Sequence, residues 1–251
     1  MGVVDNIRQV YQTSQKTEDI AWNTYFARPL AAILVYLLRP TPLTPNQVTF
    51  LGVAVFAGAA AAMIFIPGAA GFLIAALLVQ LSYLFDCADG QLARIKNMTS
   101  EVGAHLDFLM DELKALMLVA AAAIRMWMDT GDVLWLFVAV GGLFLVASAT
   151  SLTTFVRRPE YAGRKIDPGQ SAKKQPIPES AVGKVMWLIK SVARYFVHYP
   201  SWILWAALAG FFVPFDTALL FLVPYLGVYV LYLTQTGAAV VWKLGRPGFY
   251  G

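Results

Sequence analysis

Asp86, Asp89, Asp107 and Asp111 stand three, eighteen and four residues apart in a chain otherwise built of long apolar blocks. Wrapped at 3.6 residues per turn, Asp86, Asp89, Gly90, Ala93, Arg94 and Asn97 share one face of a first helix. Gly103, Asp107, Asp111 and Lys114 share one face of a second. Asn97–Ser100 forms the turn between them, with Thr99 or Ser100 as the cap ahead of Glu101. So short a turn makes the two helices antiparallel neighbours and lets four carboxylates converge. Close carboxylates repel and would take up protons unless a cation removes the conflict. An all-oxygen ligand set favours a hard divalent ion such as magnesium, manganese or calcium over zinc. Gly90 and Ala93 keep the stripe low enough for a flat or phosphate-bearing group, and Arg94 adds a positive fork suited to phosphate. Gly103 lets the helices approach closely.

The competing explanation is plain ion pairing that holds a bundle together. Arg94, Lys96 and Lys114 are too few to balance the acids. Ionisable residues within membrane spans are costly, which makes a functional site the default expectation.

The elements that position these residues are membrane helices. Apolar residues make up 59% of the chain, against about 45–50% in an ordinary soluble domain. Their long blocks predict an all-α, polytopic membrane protein, and the short alternating strands of a β-barrel are missing. Six spans are expected at about Pro45–Ile66, Ala70–Ile95, Gly103–Met126, Val133–Val156, Ser201–Val213 and Thr217–Trp242. The fifth is short and is expected to borrow from Tyr195–Pro200. Residues 1–44 form an amino-terminal segment with an amphipathic interfacial helix at Asn23–Leu38, and residues 45–251 form the membrane domain. Ala181–Val197 reads as a second interfacial helix, or either segment as part of a longer tilted span. Pro159–Pro178 reads as a polar loop.

Met1–Lys16 lacks the order of a secretory signal, and the single cysteine, Cys87, excludes an internal disulfide. The net charge of +4 is spread beside the apolar blocks, which suits lipid headgroups and argues against a nucleic-acid partner. One side of the expected spans carries only Arg125. The other carries Arg28, Arg39, Arg94, Lys96, Arg157, Arg158, Arg164, Lys165, Lys173, Lys174, Lys184, Lys243 and Arg246. By the positive-inside rule both termini and the acidic site face the cytoplasm, across the cell membrane if the source is prokaryotic.

Written as a pattern, the stretch is D-x-x-D-G-x-x-A-R-x(8)-G-x-x-x-D-x-x-x-D. It resembles the signature of the CDP-alcohol phosphotransferase family, with every fixed position filled by Asp86, Asp89, Gly90, Ala93, Arg94, Gly103, Asp107 and Asp111. "TPNQVT", Thr44–Thr49, is similar to the family's amino-terminal region. The resemblance covers most of the chain, although the carboxy-terminal half has no comparably specific motif. It implies transfer of a substituted phosphate from a CDP-linked donor to an alcohol hydroxyl, with release of CMP. Breaking a diphosphate calls for cations on its oxygens, and two metals can clamp such a displacement. The resemblance assigns Asp86, Asp89, Asp107 and Asp111 to two Mg2+ or Mn2+ ions and Gly90, Ala93, Arg94 and Gly103 to the nucleotide pocket. Geometry supports a general base among the four acids; the resemblance alone selects Asp111. It also implies a homodimer in contact with membrane lipid. The donor is CDP-diacylglycerol with a polar alcohol, or CDP-choline or CDP-ethanolamine with diacylglycerol. The basic cluster Arg157–Lys174 tilts the acceptor towards a phosphorylated one.

Other residues carry two readings each. Asn46 and Thr49 can approach the donor or simply start a helix. Arg157 and Arg158 can bind an acceptor phosphate or anchor a span. Lys114, one turn beyond Asp111, balances its charge or touches substrate. His105 and Glu112 project away from the stripe, Cys87 reads as packing, and Trp127, Trp202 and Trp242 as interfacial anchors. Two other functions use acids in a membrane. An intramembrane prenyltransferase holds diphosphate through magnesium, but its aspartate motifs are denser and the Gly-Ala-Arg element fits it poorly. A cation transporter leaves Arg94 and the fixed spacing unexplained.

Overall fold

The computed structural model of the chain describes residues 2–14, 23–158, 161, 180, 183–189, 198–212 and 216–246. Among these residues every regular element is helical. In chain order they are α1 (Val3–Thr13), a turn of π-helix at Asn23–Ala27, α2 (Arg28–Leu38), α3 (Pro45–Phe65) and α4 (Gly68–Ile95). Then follow α5 (Glu101–Thr130), α6 (Leu134–Arg157), α7 (Tyr199–Ala209) and α8 (Thr217–Leu244). Four of them, α3, α4, α6 and α8, are long and apolar enough to cross a membrane. The third expected span coincides with α5, a 30-residue helix carrying the charges of Asp107, Asp111, Glu112, Lys114, Arg125 and Asp129. The fifth coincides with α7, only 11 residues long, which takes in Tyr199 and Pro200 of the expected extension, while residues 195–197 lie outside the described residues.

Two compact units divide the described chain, one ending at Lys114 and the other starting at Ala115, so α5 contributes a half to each. In the first unit, "TPNQVT" is a helix start of strict chemistry. Gln47 N donates to Thr44 Oγ1 at 3.3 Å, while Thr44 N donates to Gln47 Oε1 at 2.9 Å. Pro45, which has no N–H to lose, takes the first helical position. Beyond it α3 lies against α4. A Cβ on Gly52 would sit 3.1 Å from the Cβ of Phe85, and Ser82 Oγ donates to the Gly52 carbonyl at 2.8 Å. The absence of a side chain at Gly52 is what allows that approach.

The other face of α4 is a dry core. Cys87, Ala88 and Leu92 meet Ala31, Ala32 and Val35 of α2, Val48 of α3 and Val10 of α1. Gln91, fully buried, donates to the Arg28 carbonyl at 3.2 Å. The Asn23–Leu38 segment therefore departs from an interfacial helix with one polar face. Its Arg28 is buried, one face of α2 joins the core, and the opposite face exposes Leu30, Ile33 and Leu37. The helix α1 is not foreseen by a reading of Met1–Lys16 as merely polar. Val10 is buried, and Ile7 and Tyr11 pack beside it. Tyr11 OH donates to the Thr24 carbonyl at 2.9 Å, and the Asp5 carboxylate accepts from Gly2 N across the first turn.

The second unit holds α6, α7, α8 and the later half of α5. A Cβ on Gly142 of α6 would come within 2.7 Å of Val119, so α5 and α6 also touch through a glycine. Thr153 and Tyr232 share a hydrogen bond of 2.7 Å between α6 and α8, and Asp216 caps α8 by accepting from Ala218 N at 2.8 Å. Arg125 pairs with Asp129 along α5. Of the second expected interfacial segment, residues 183–189 are described; they are helical and expose Val185, Met186, Leu188 and Ile189. Apart from Tyr161, the expected loop over residues 159–178 lies outside the described residues.

Candidate active site

The turn joining α4 to α5 brings the acidic faces together. α4 closes with Asn97 in the left-handed region at φ 53°, Met98 N donating to the Ala93 carbonyl at 2.8 Å and Asn97 N to the Arg94 carbonyl at 3.3 Å. This paired arrangement satisfies the last carbonyls of a helix. Asn97 consequently belongs to the turn and departs from the α4 stripe. Of the two candidate caps for α5, Ser100 takes the part: its Oγ accepts from Gly103 N at 3.0 Å and its carbonyl accepts from Ala104 N.

Across that turn, carboxylate oxygens of Asp86, Asp107 and Asp111 lie within 4.8 Å of one another. Lys114 is inserted among them. Its side chain is 1% exposed, and its Nζ donates to Asp86 Oδ1 and, at 3.2 Å, to Asp111 Oδ1. The Asp111 side chain is 47% exposed against 15% for Asp86, so Asp111 is the more exposed acid of that pair. Asp89 stands outside the set of three. It is buried and accepts a hydrogen bond from Thr49 Oγ1 at 2.5 Å. The same hydroxyl lies 3.2 Å from the Pro45 carbonyl, but it has one proton to give and the carboxylate is the shorter contact. Thr49 is thus tied to an aspartate of the motif as well as to its own helix.

Gly90 sits under Arg94, since a Cβ there would touch the guanidinium at 3.7 Å. Arg94 Nε donates to the Ser14 carbonyl at 2.8 Å, and this tethers the end of α1 to the motif helix. The sequence signal for that contact is weak: the apolar residues Val3, Ile7, Val10 and Tyr11 recur at helical spacing. A Cβ on Gly103 would lie 3.2 Å from Ser100 Oγ and 3.7 Å from Asn46 Oδ1, so Asn46 borders the start of α5. Ala93 is half-buried on the same stretch of α4. Lys96 donates to the Thr41 and Leu43 carbonyls, at 2.8 Å each, and so braces the α2–α3 connection. Cys87 is buried in the core and forms no disulfide, His105 is exposed, and neither His105 nor Glu112 joins the carboxylate set. Arg157 and Arg158 are exposed at the end of α6, in the second unit.

Oxygen-only donors, three carboxylates close together and a single ammonium among them fit a hard divalent cation. A family model described as CDP-alcohol phosphatidyltransferase matches residues 42–213. The chain belongs to that family. The matched range takes in the Thr44–Thr49 helix start and all four aspartates, and it leaves out α1, α2 and α8. Among curated proteins the chain is similar to the bifunctional IPC transferase and DIPP synthase of Aquifex aeolicus (strain VF5), 29% identical over 107 residues. That match covers 43% of this chain and 24% of the relative. It is also similar to the inner membrane protein YnjF of Escherichia coli (strain K12), 32% identical over 139 residues, or 54% of this chain and 65% of that one. With both relatives the match spans less than two thirds of their length. A relative in the inner membrane and four apolar helices of spanning length make the family member an integral membrane protein.

Proposed function

We propose that this protein is a divalent-metal-dependent phosphotransferase of phospholipid synthesis, moving a substituted phosphate from a CDP-linked donor to an alcohol and releasing CMP. The observation that carries the reading is the convergence of Asp86, Asp107 and Asp111 within 4.8 Å, in a chain of this family. Asp86, Asp89, Asp107 and Asp111 are the residues that would hold Mg2+ or Mn2+, as one ion or two. Bound there, such ions supply positive charge to offset the charge developing on a diphosphate. Asp89 would be oriented by the Thr49 hydroxyl.

Asp111 would accept the proton of the acceptor hydroxyl, a role that suits the more exposed of the two acids bound to Lys114. Gly90, Ala93, Arg94 and Gly103 would line the nucleotide pocket, with Asn46 at its edge near Gly103. The donor or the acceptor is a lipid and the other is water-soluble, so the site opens to both phases. Six spans, an amino-terminal segment over residues 1–44 ahead of a membrane domain over 45–251, cytoplasmic termini and a homodimer complete the proposal.

The test is release of CMP by the reconstituted protein over a panel of CDP-diacylglycerol, CDP-choline and CDP-ethanolamine with matching alcohols. Binding gives a second readout. CDP or CMP is expected to raise the thermal stability of the detergent-solubilised protein only when a divalent ion is present. No stabilisation by any such pair would reject the reading in favour of a prenyltransferase or a cation transporter.

A further inference from the structure

We propose that Lys114 is a built-in counter-ion of the acidic site: it holds Asp86 and Asp111 together when no metal is bound, and it weakens the site's grip on a divalent cation. The proposal rests on the preceding reading in one respect, that a divalent ion binds these carboxylates.

Lys114 lies one turn beyond Asp111 on α5 and reaches across to Asp86 on α4, so a single ammonium ties the two motif helices. With 1% of its side chain exposed, the charge has been taken out of water. A buried ammonium is tolerated only where carboxylates and hydrogen bonds replace its hydration. The two contacts supply that. They also occupy one oxygen on each of two of the three residues clustered within 4.8 Å, and so compete with an incoming ion for part of its ligand set. One ammonium against the acids of the motif leaves enough negative charge to attract a divalent ion. Its presence beside that ion is nonetheless repulsive, and in a partly dry site the repulsion is strong. A tie of this kind keeps four like charges from forcing α4 and α5 apart between catalytic cycles. It also keeps metal binding exchangeable.

The experiment measures Mn2+ affinity and thermal stability of the full-length protein in detergent. Free Mn2+ is read by electron paramagnetic resonance for wild type, Lys114→Met and Lys114→Arg. Lys114→Met is expected to bind Mn2+ about 10-fold more tightly or better, a conservative figure for removing a unit charge beside a divalent ion. It is also expected to melt lower than wild type in chelator and to regain most of that loss in saturating Mn2+. Lys114→Arg, which keeps the charge, should remain near wild-type affinity.

Wild type that binds Mn2+ with Lys114→Met unchanged or weaker would overturn the counter-ion role and leave the metal site standing. Wild type without saturable binding would overturn both. Lys114→Gln repeats the measurement if Lys114→Met does not fold. Failure of both to fold in saturating Mn2+ would also overturn the proposal, because the ion then cannot take over what the lysine does.

Discussion

Thr49 Oγ1 donates to the buried Asp89 carboxylate, and removing one partner of a buried hydrogen bond costs about 1–3 kcal/mol. Thr49→Ala is therefore expected to slow CMP release by about 10- to 100-fold, while Thr49→Ser, which keeps the donor, restores most of it. Equal rates for the two variants would show that the hydroxyl is idle. Asp111→Asn removes the proposed base with little change of shape. Its activity should drop by about 100- to 10,000-fold while the protein still folds. Activity near wild type would move the base to another acid. The approach of Asp86, Asp107 and Asp111 was legible from spacing, because helical periodicity fixes which residues share a face, whereas Asp89 stands outside that set. The Thr49–Asp89 contact was not, since it joins residues on two helices whose rotation no motif records. Lys114 falls between these cases. Its place on the stripe could be read, but its double contact depends on a long side chain reaching an acid on α4 as well as one on its own helix.

At the scale of elements, close approach depends on missing side chains. Gly52→Leu would push α3 away from Phe85 of α4, and overpacking of this kind costs about 1–3 kcal/mol. Since Thr49 rides on the same helix, the variant is also expected to lose CMP-release activity; full activity with a lowered melting temperature would uncouple packing from the site. The α4–α5 turn makes a backbone prediction. Asn97→Val places a β-branched residue at φ 53° and should destabilise by about 1–2 kcal/mol, whereas Asn97→Gly should be tolerated. Equal denaturation midpoints would contradict that. The turn and the Ser100 cap follow local rules and were readable in outline. α1 was obscured by its polar residues, and the burial of Arg28 in α2 was not legible from its charge. Hydropathy reports how apolar a segment is, without saying which polar group has found a partner inside.

For the whole molecule, sidedness is the property that sequence addresses through charge alone. Several cations counted towards the basic side have partners within the protein: Arg94 at Ser14, Lys96 at two carbonyls, and Lys243 at the Tyr161 carbonyl. The lone Cys87 is buried, so Cys87→Ala provides a clean background for labelling. A cysteine at Ser100 should react with an impermeant maleimide from the cytoplasmic face, and one at Asp132 only from the opposite face. The reverse pattern would invert the topology. The four-residue turn has one more consequence, for biosynthesis. Every acid of the motif, its lysine and its threonine precede Ala115, inside a single compact unit. Chain closure over so few residues is fast and entropically cheap. A nascent polypeptide stalled just past Lys114 would already possess the entire acidic centre, before the ribosome had made α6, α7 or α8.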